Sequence, residues 1–284
     1  MENYVPVKLA YNVVEPDEYD NNKAPVIFLH GMTTSKENWH DIPWHIASIT
    51  QRKVYVLDAR NHGDSPWSEF SHFACNVKDL LHFMDTHYVS KAILVGHSMG
   101  GITAMKIALW MPERVEKLVV EDISVKTPSP QAINAVHCRL RILKSAIEEL
   151  PRGLDEESSK EFISNYIDEI IAPGIENASR TQRNDFGLKK TADGRYTFKT
   201  NINVLPLAVN NSKNGLLSLL GRYEGPACFI YGQLSPFEVE SHKDHIKKFF
   251  PKVELVGVEN AGHEVHNDCG AEFSKILCNF ILRE

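Results

Sequence analysis

The chain has 284 residues, of which 43% are hydrophobic and 24% are charged, the composition of an ordinary globular protein with a sizeable core. Its formal net charge of −6 argues against nucleic acid as a partner, because a general basic field is absent. Five cysteines without CxxC spacing indicate reduced thiols rather than disulfides or a zinc site. No apolar run approaches the roughly 18 residues of an integral membrane segment. Since no basic start precedes an apolar run at the N-terminus, we expect a cytoplasmic protein.

Short apolar runs alternate with helical patterns along the first part of the chain, and the alternation resumes after about residue 224. This order predicts an α/β fold with a largely parallel sheet and helices on both faces. Strands are predicted at residues 5–14, 25–30, 53–58, 91–96, 116–122, 227–231 and 253–258, and helices at residues 39–49, 73–88, 99–110, 130–150, 155–171, 239–250 and 271–283.

The middle of the chain lacks buried-strand patterns and is helical and charged. A turn at Asp193-Gly194 predicts a short hairpin near its end. We therefore divide the chain into an α/β core, residues 1–124 and 216–284, and an inserted helical cap, residues 125–215.

The sharpest motif is Gly96-His97-Ser98-Met99-Gly100, which lies where a predicted buried strand ends and a helix begins. A G-x-S-x-G sequence in this context is typical of a nucleophile held on a tight, strained strand-to-helix turn. The glycines are needed because side chains there would crowd the neighbouring elements. Ser98 is the candidate nucleophile.

A serine hydroxyl needs a base to remove its proton during attack. His263 follows the last predicted strand in Asn260-Ala-Gly-His, where a loop over the same edge of the sheet could bring its imidazole to Ser98. His266 is the main rival among the thirteen histidines.

The acid that orients the histidine is less obvious, because the loop after residues 227–231 carries no acidic residue near its start. Asp122 ends the preceding predicted strand and therefore points to the catalytic edge. Glu121 alternates to the opposite face of that strand and is the weaker choice. Ser235 could hydrogen bond the histidine or the acid. Glu238 and Glu240 are the remaining candidate acids.

Acyl transfer also needs N–H donors for the oxyanion. His30-Gly31-Met32 follows a buried strand, and the glycine would let the Met32 amide face the serine. The Met99 amide, directly after the nucleophile, is the second candidate donor. We expect His30, Gly31, His97 and Ser235 to line the substrate pocket or to support the catalytic residues.

Four segments in this order resemble one family: His30-Gly-Met-x-x-Ser35, residues 57–66 (LDARNHGDSP), Gly96-His-Ser-Met-Gly-Gly101 and Asn260-Ala-Gly-His263. Together they look like the abhydrolase-domain-containing 11 branch of the α/β-hydrolase superfamily, with its diacylglycerol-lipase-like animal enzymes and bacterial short acyl-ester esterases. The RNHGDSP stretch is the most discriminating. In the bacterial members the acid lies at the end of the strand after the nucleophile helix, and this position maps onto Asp122 here. A serine of those members maps onto Ser235. Some animal members have an aspartate where this chain has Asn203.

The resemblance implies an eight-stranded, mostly parallel sheet with a helical cap over the site. It also implies hydrolysis of carboxylic esters, acylglycerol or other acyl esters, through an acyl-enzyme without metal or organic cofactor, and it leaves a mitochondrial location open. The partner would be a small acyl ester or lipid, and the protein a monomer or weak dimer. A thioesterase or amidase, or a receptor-like hydrolase with slow turnover, are the competing hypotheses. The HKDH run at residues 242–245 lacks further metal ligands and indicates a solvated helix face.

Overall fold

The computed structural model describes residues 5–16, 19–20, 22–171, 187–210 and 219–283. None of the helices in these ranges has the length and apolar character needed to cross a membrane. The strands are β1 (Tyr11–Val14), β2 (Val26–Leu29), β3 (Val54–Leu57), β4 (Ala92–His97), β5 (Val115–Glu121), β6 (Leu188–Lys190), β7 (Tyr196–Phe198), β8 (Ala227–Gly232) and β9 (Val253–Val258). The helices are α1 (Ile42–Thr50), α2 (Phe73–Thr86), α3 (Met99–Trp110), α4 (Pro130–Glu148), α5 (Glu156–Ile171), α6 (Leu205–Asn210), α7 (Lys243–Phe249), α8 (Val265–Asp268) and α9 (Gly270–Leu282).

Among the described residues the main sheet has seven strands in the order β1-β3-β2-β4-β5-β8-β9. β1 is antiparallel to β3, and the other neighbours are parallel. Every residue of β2, β3, β4 and β8 is buried, as expected for strands with helices on both faces. One apolar cluster packs each face of the sheet. The predicted α/β-hydrolase fold is confirmed.

The eight strands implied by the resemblance are wrong by one in the described part of the chain, where the sheet consists of the seven strands that the apolar runs predict. The first of these is shorter than predicted, since only residues 11–14 of the predicted strand at residues 5–14 join the sheet. Before β1 two backbone N–H groups donate to side chains instead of to a neighbouring strand. The Val7 N–H donates to Asp79 Oδ1 at 2.9 Å, and the Ala10 N–H donates to Ser65 Oγ at 2.8 Å. These bonds fix the segment without a sheet ladder.

The segment between β5 and β8 packs partly on itself. Leu143 and Ala146 of α4, Ile163 of α5, Leu188 of β6 and Phe198 of β7 belong to one buried cluster, separate from the two at the main sheet. β6 and β7 pair antiparallel around the predicted turn, where Gly194 has φ 83°. That left-handed conformation favours glycine, and the predicted hairpin is confirmed.

The RNHGDSP stretch, residues 60–66, contacts the segment between β5 and β8. The Asn201 N–H donates to the Asn61 carbonyl at 2.7 Å, and Lys199 Nζ lies 2.8 Å from Asp64 Oδ1. At the other end of the stretch, Arg60 makes a two-pronged ion pair with buried Asp79. Asn201 and Lys199 thus attach the chain after β7 to the loop that follows β3, and Arg60 attaches that loop to α2.

Candidate active site

Ser98 lies between β4 and α3 in a strained turn, with φ 49° and ψ −109°. Its N–H donates to the Glu121 carbonyl at 3.0 Å, which ties the turn to the end of β5. A Cβ on Gly96 would lie 2.5 Å from the backbone of Gly100, and one on Gly100 would overlap the Leu29 carbonyl. The two glycines therefore let β2, β4 and α3 approach closely enough to hold the serine in this conformation.

His263 and Asp122 meet at the same edge of the sheet. His263 Nδ1 and Asp122 Oδ2 are 2.7 Å apart, and the Asp122 side chain is fully buried. The carboxylate also accepts the Gly232 N–H on Oδ1 at 3.1 Å and the Ser235 hydroxyl on Oδ2. A buried carboxylate with three donors is well suited to orient an imidazole, since its lone pairs are occupied and its position is fixed.

Two further contacts hold His263, one to the face of its ring and one to its backbone carbonyl. The Phe237 ring stacks on it with centroids 4.2 Å apart and planes 25° apart. The His263 carbonyl accepts a hydrogen bond from His97 Nε2 at 3.0 Å. Burial holds the pKa of His97 well below its ordinary value, so the ring is neutral. A Cβ on Gly31 would lie 2.5 Å from His97 Nδ1, so only glycine leaves room for this ring.

The rival histidine and the weaker acid from the sequence form a pair of their own. His266 Nδ1 lies 2.7 Å from Glu121 Oε1, and both side chains are fully buried. The Asn38 side-chain amide lies 2.9 Å from His266 Nε2. Although burial favours the neutral ring, the Glu121 carboxylate raises the pKa of His266 above its ordinary value. His266 therefore lies in the interior, paired with an acid, and away from the cavity wall.

The two further candidate acids, Glu238 and Glu240, do not contact the histidine of the site. Both are exposed, and neither side chain hydrogen bonds to His263. Asn203 is also exposed and lines an outer groove along α4.

A cavity of about 260 Å³ lies over the edge of the sheet that carries these groups. Ser98 and His263 both line it, although no hydrogen bond joins their side chains in the described part of the chain. Such bonds often form only when substrate is present. Predicted residues His97, Met32 and Met99 also line the cavity. The remaining lining residues are Thr33, Phe73, Ile102, Ile123, Pro128, Ala132, Ile133, Ala135, Val136, Arg139, Val209, Pro236, Phe237 and Glu264.

Three predicted supporting residues lie outside the cavity wall. Ser235 acts on Asp122, and Gly31 packs against His97. His30 is buried beneath the site, where its Nδ1 bonds the Gly31 carbonyl at 2.7 Å and its Nε2 accepts the Ala59 N–H at 3.0 Å. Its role in the structure is to fix the loop after β2.

The backbone amides of Met32 and Met99 are both available for hydrogen bonding. Met99 is the first residue of α3, so its N–H has no partner within the helix. Across the described residues, neither amide donates a hydrogen bond to another protein group. Both residues border the cavity beside Ser98. Two free N–H groups at this place can stabilise negative charge on an oxygen bound there.

Three residues of the site carry no clear signal in the sequence. Phe237 lies two positions after Ser235, and nothing in its neighbourhood predicts that it stacks on His263. Arg139 and Glu264 both line the cavity, but they lie on elements far apart in the chain. Only the folded positions of α4 and of the loop after β9 bring them to one cavity.

Comparisons with known proteins agree with this geometry. Residues 24–268 match the family model described as the alpha/beta hydrolase fold. The chain is 30% identical to the sn-1-specific diacylglycerol lipase ABHD11 of Mus musculus, over 97% of this chain and 86% of that protein. It is 32% identical to an abhydrolase domain-containing protein of Schizosaccharomyces pombe, over 97% of this chain and 98% of that one. A solved marine microorganism esterase superposes with a TM-score of 0.78 at 26% identity, covering 96% of this chain and 99% of the esterase.

The family match spans most of the chain, and the similarity to the mouse and yeast proteins covers nearly all of it. The chain belongs to the α/β-hydrolase family, in its abhydrolase-domain-containing 11 branch.

Proposed function

We propose that this carboxylic ester hydrolase cleaves acyl esters with Ser98 as nucleophile, His263 as general base and Asp122 as the acid that orients the histidine. The observation that carries the proposal is the 2.7 Å hydrogen bond between His263 Nδ1 and buried Asp122, made by a histidine that shares a cavity wall with Ser98. That bond leaves Nε2 as the ring nitrogen free to take the serine proton.

In the first half-reaction Ser98 Oγ attacks the ester carbonyl while His263 Nε2 takes the hydroxyl proton. The carbonyl oxygen becomes an oxyanion, to which the Met32 and Met99 amides donate. The bond to the alcohol oxygen then breaks, and His263 returns the proton to the leaving alcohol. Water attacks the acyl-enzyme in the same way, with His263 as base, and releases the carboxylic acid and free Ser98.

The substrate class follows from the cavity and from the relatives. Apolar side chains form most of its wall, which suits an acyl chain. The mouse relative is named a diacylglycerol lipase and the marine structure an esterase, so acylglycerols and other acyl esters are the proposed substrates. α4 and α6 supply part of the cavity wall, and we assign the described part of residues 125–215 as a cap over the site. Residues 172–186 and 211–215 of that range lie outside the described residues.

The test is hydrolysis of p-nitrophenyl esters of graded chain length, from acetate to laurate, by the wild type and by Ser98→Ala. The matched control is Ser48→Ala, a change at an exposed serine of α1. We expect turnover with a chain-length optimum in the wild type and the control, and none above background in Ser98→Ala. Undiminished turnover in Ser98→Ala would refute the mechanism. A single burst without turnover in the wild type would point to a ligand-binding protein instead.

A further inference from the structure

Two charged side chains, those of Arg139 and Glu264, line the otherwise largely apolar cavity that Ser98 and His263 share. They reach it from different elements, since Arg139 belongs to α4 and Glu264 follows His263 after β9. In the described part of the chain no ion pair or hydrogen bond joins them to each other. A positive and a negative group therefore face the same space without meeting, which leaves room for a ligand between them.

Glu264 is fixed and charged. Its Oε2 accepts a hydrogen bond from the Asn267 side-chain amide at 2.7 Å. Burial favours the neutral acid, but the combined effect of Arg139, His266, the hydrogen bond from Asn267 and His263 holds the pKa of Glu264 below its ordinary value. A carboxylate has about four acceptor sites on two oxygens, so one bond to Asn267 leaves it able to accept more.

The position of Glu264 favours the alcohol side of the scissile bond for this pair. In the proposed reaction His263 protonates the departing alcohol, so the alcohol leaves beside that imidazole. Glu264 is the next residue in the chain and lines the same wall. The apolar remainder of the wall then suits the acyl chain.

The pair also restricts the chemistry of that alcohol. A leaving group with a net charge gains from one of the two side chains and is repelled by the other. A neutral hydroxyl can donate to Glu264 and accept from Arg139, in both cases through a charge-assisted hydrogen bond. We propose that Arg139 and Glu264 form a subsite that selects esters whose leaving alcohol carries a further free hydroxyl group. This inference rests on the proposed function.

The test compares four butyrate esters that share one acyl group: glyceryl monobutyrate, ethyl butyrate, butyrylcholine and O-butyrylglycolate. We expect the wild type to favour the glyceryl over the ethyl ester by about tenfold or more in kcat/KM, because two charge-assisted bonds are lost with ethanol. Preference for the cationic choline ester or for the anionic glycolate ester would overturn the assignment.

Variants test whether Arg139 and Glu264 cause the preference for the glyceryl ester. Arg139→Met and Glu264→Gln should each lower the ratio of glyceryl to ethyl kcat/KM several-fold. Arg141→Met changes an exposed arginine of the same helix that does not line the cavity, and it should keep the wild-type ratio. An unchanged ratio in both subsite variants would overturn the proposal.

The same assay separates the two levels of inference. If the wild type cleaves the ethyl and glyceryl esters equally and Ser98→Ala cleaves neither, the proposed function stands and the subsite is wrong. If the wild type cleaves none of the four esters and no p-nitrophenyl ester of any chain length, the proposed function is wrong and the subsite is wrong with it.

Discussion

Glu121 is the last residue of β5 and Asp122 is the residue after it, and their carboxylates pair with two different histidines. Asp122 lies 2.7 Å from His263 Nδ1 at the cavity, whereas Glu121 lies 2.7 Å from His266 Nδ1 in the interior. Asp122 has φ 48°, outside the extended conformation of the strand, and its carboxylate lies at the cavity edge rather than with the interior pair. The Glu121 carbonyl also accepts the Ser98 N–H. The interior pair therefore ties the histidine loop to the strand that supports the nucleophile.

Breaking the interior pair should cost stability. Glu121→Gln leaves His266 buried without its carboxylate, and removing one partner of a buried ion pair typically costs about 3 kcal/mol or more. Urea unfolding of the purified protein measures this change. Glu113→Gln, an exposed glutamate, is the control and should be nearly neutral. A loss below about 1 kcal/mol in Glu121→Gln would show that the pair is not a structural link.

Removing the charge of the other acid should affect the reaction more than the fold. Asp122→Asn disturbs the tautomer and the charge balance of His263, so we expect kcat to fall by about a thousandfold or more. KM should change little, because Asp122 is buried away from the cavity. Steady-state kinetics with p-nitrophenyl butyrate gives both values. Glu238→Gln, at a candidate acid from the sequence, should retain wild-type activity, and a comparable loss there would contradict the assignment.

Gly31 should not tolerate a methyl group. Its added Cβ would lie 2.5 Å from His97 Nδ1, and His97 holds the His263 carbonyl. We expect Gly31→Ala to lose about 1–3 kcal/mol of stability through overpacking, together with much of its activity. Gly270→Ala is the matched control, because a Cβ there meets nothing within 4 Å. Thermal unfolding and ester hydrolysis are measured for both variants. If Gly31→Ala is as stable and as active as Gly270→Ala, the packing argument is wrong.

Burial of His62 should make the protein less stable in acid. Burial, with the nearby His30, lowers the pKa of His62 to about 3. As pH falls below about 6.5 the unfolded chain takes up a proton that the folded protein refuses, so the free energy of unfolding decreases. The difference in this free energy between the wild type and His62→Gln should therefore shrink by about 1–2 kcal/mol from pH 7.5 to pH 4.5.

The control for this pH effect is His82→Gln, a change at an exposed histidine. The difference in free energy of unfolding between the wild type and His82→Gln should stay constant from pH 7.5 to pH 4.5. A constant or growing difference for His62→Gln would contradict a neutral, buried His62.

The sheet and the place of the nucleophile are predictable from the sequence because they depend on local patterns. Short apolar runs mark the buried strands, and the glycines around Ser98 mark the turn that carries it. Parallel strands end at one edge, so the strand pattern alone is enough to predict that Asp122 and His263 lie near Ser98.

Other features depend on contacts between distant segments, and no local pattern encodes them. Nothing near His266 indicates that it pairs with Glu121, 145 residues earlier. The strand expected at residues 5–14 is shortened because Asp79 and Ser65 take its N–H groups. Arg139 of α4 and Glu264 after β9 come to line one cavity only in the folded chain.

The most direct test of the account is covalent labelling by an alkyl fluorophosphonate, followed by peptide mapping and intact-mass measurement. A serine activated by His263 attacks the phosphorus and displaces fluoride, which leaves a stable phosphonyl ester. We predict one adduct per chain, on Ser98, with labelling much slower in His263→Ala and absent in Ser98→Ala. An adduct on another residue, or equally fast labelling of Ser98→Ala, would contradict the account.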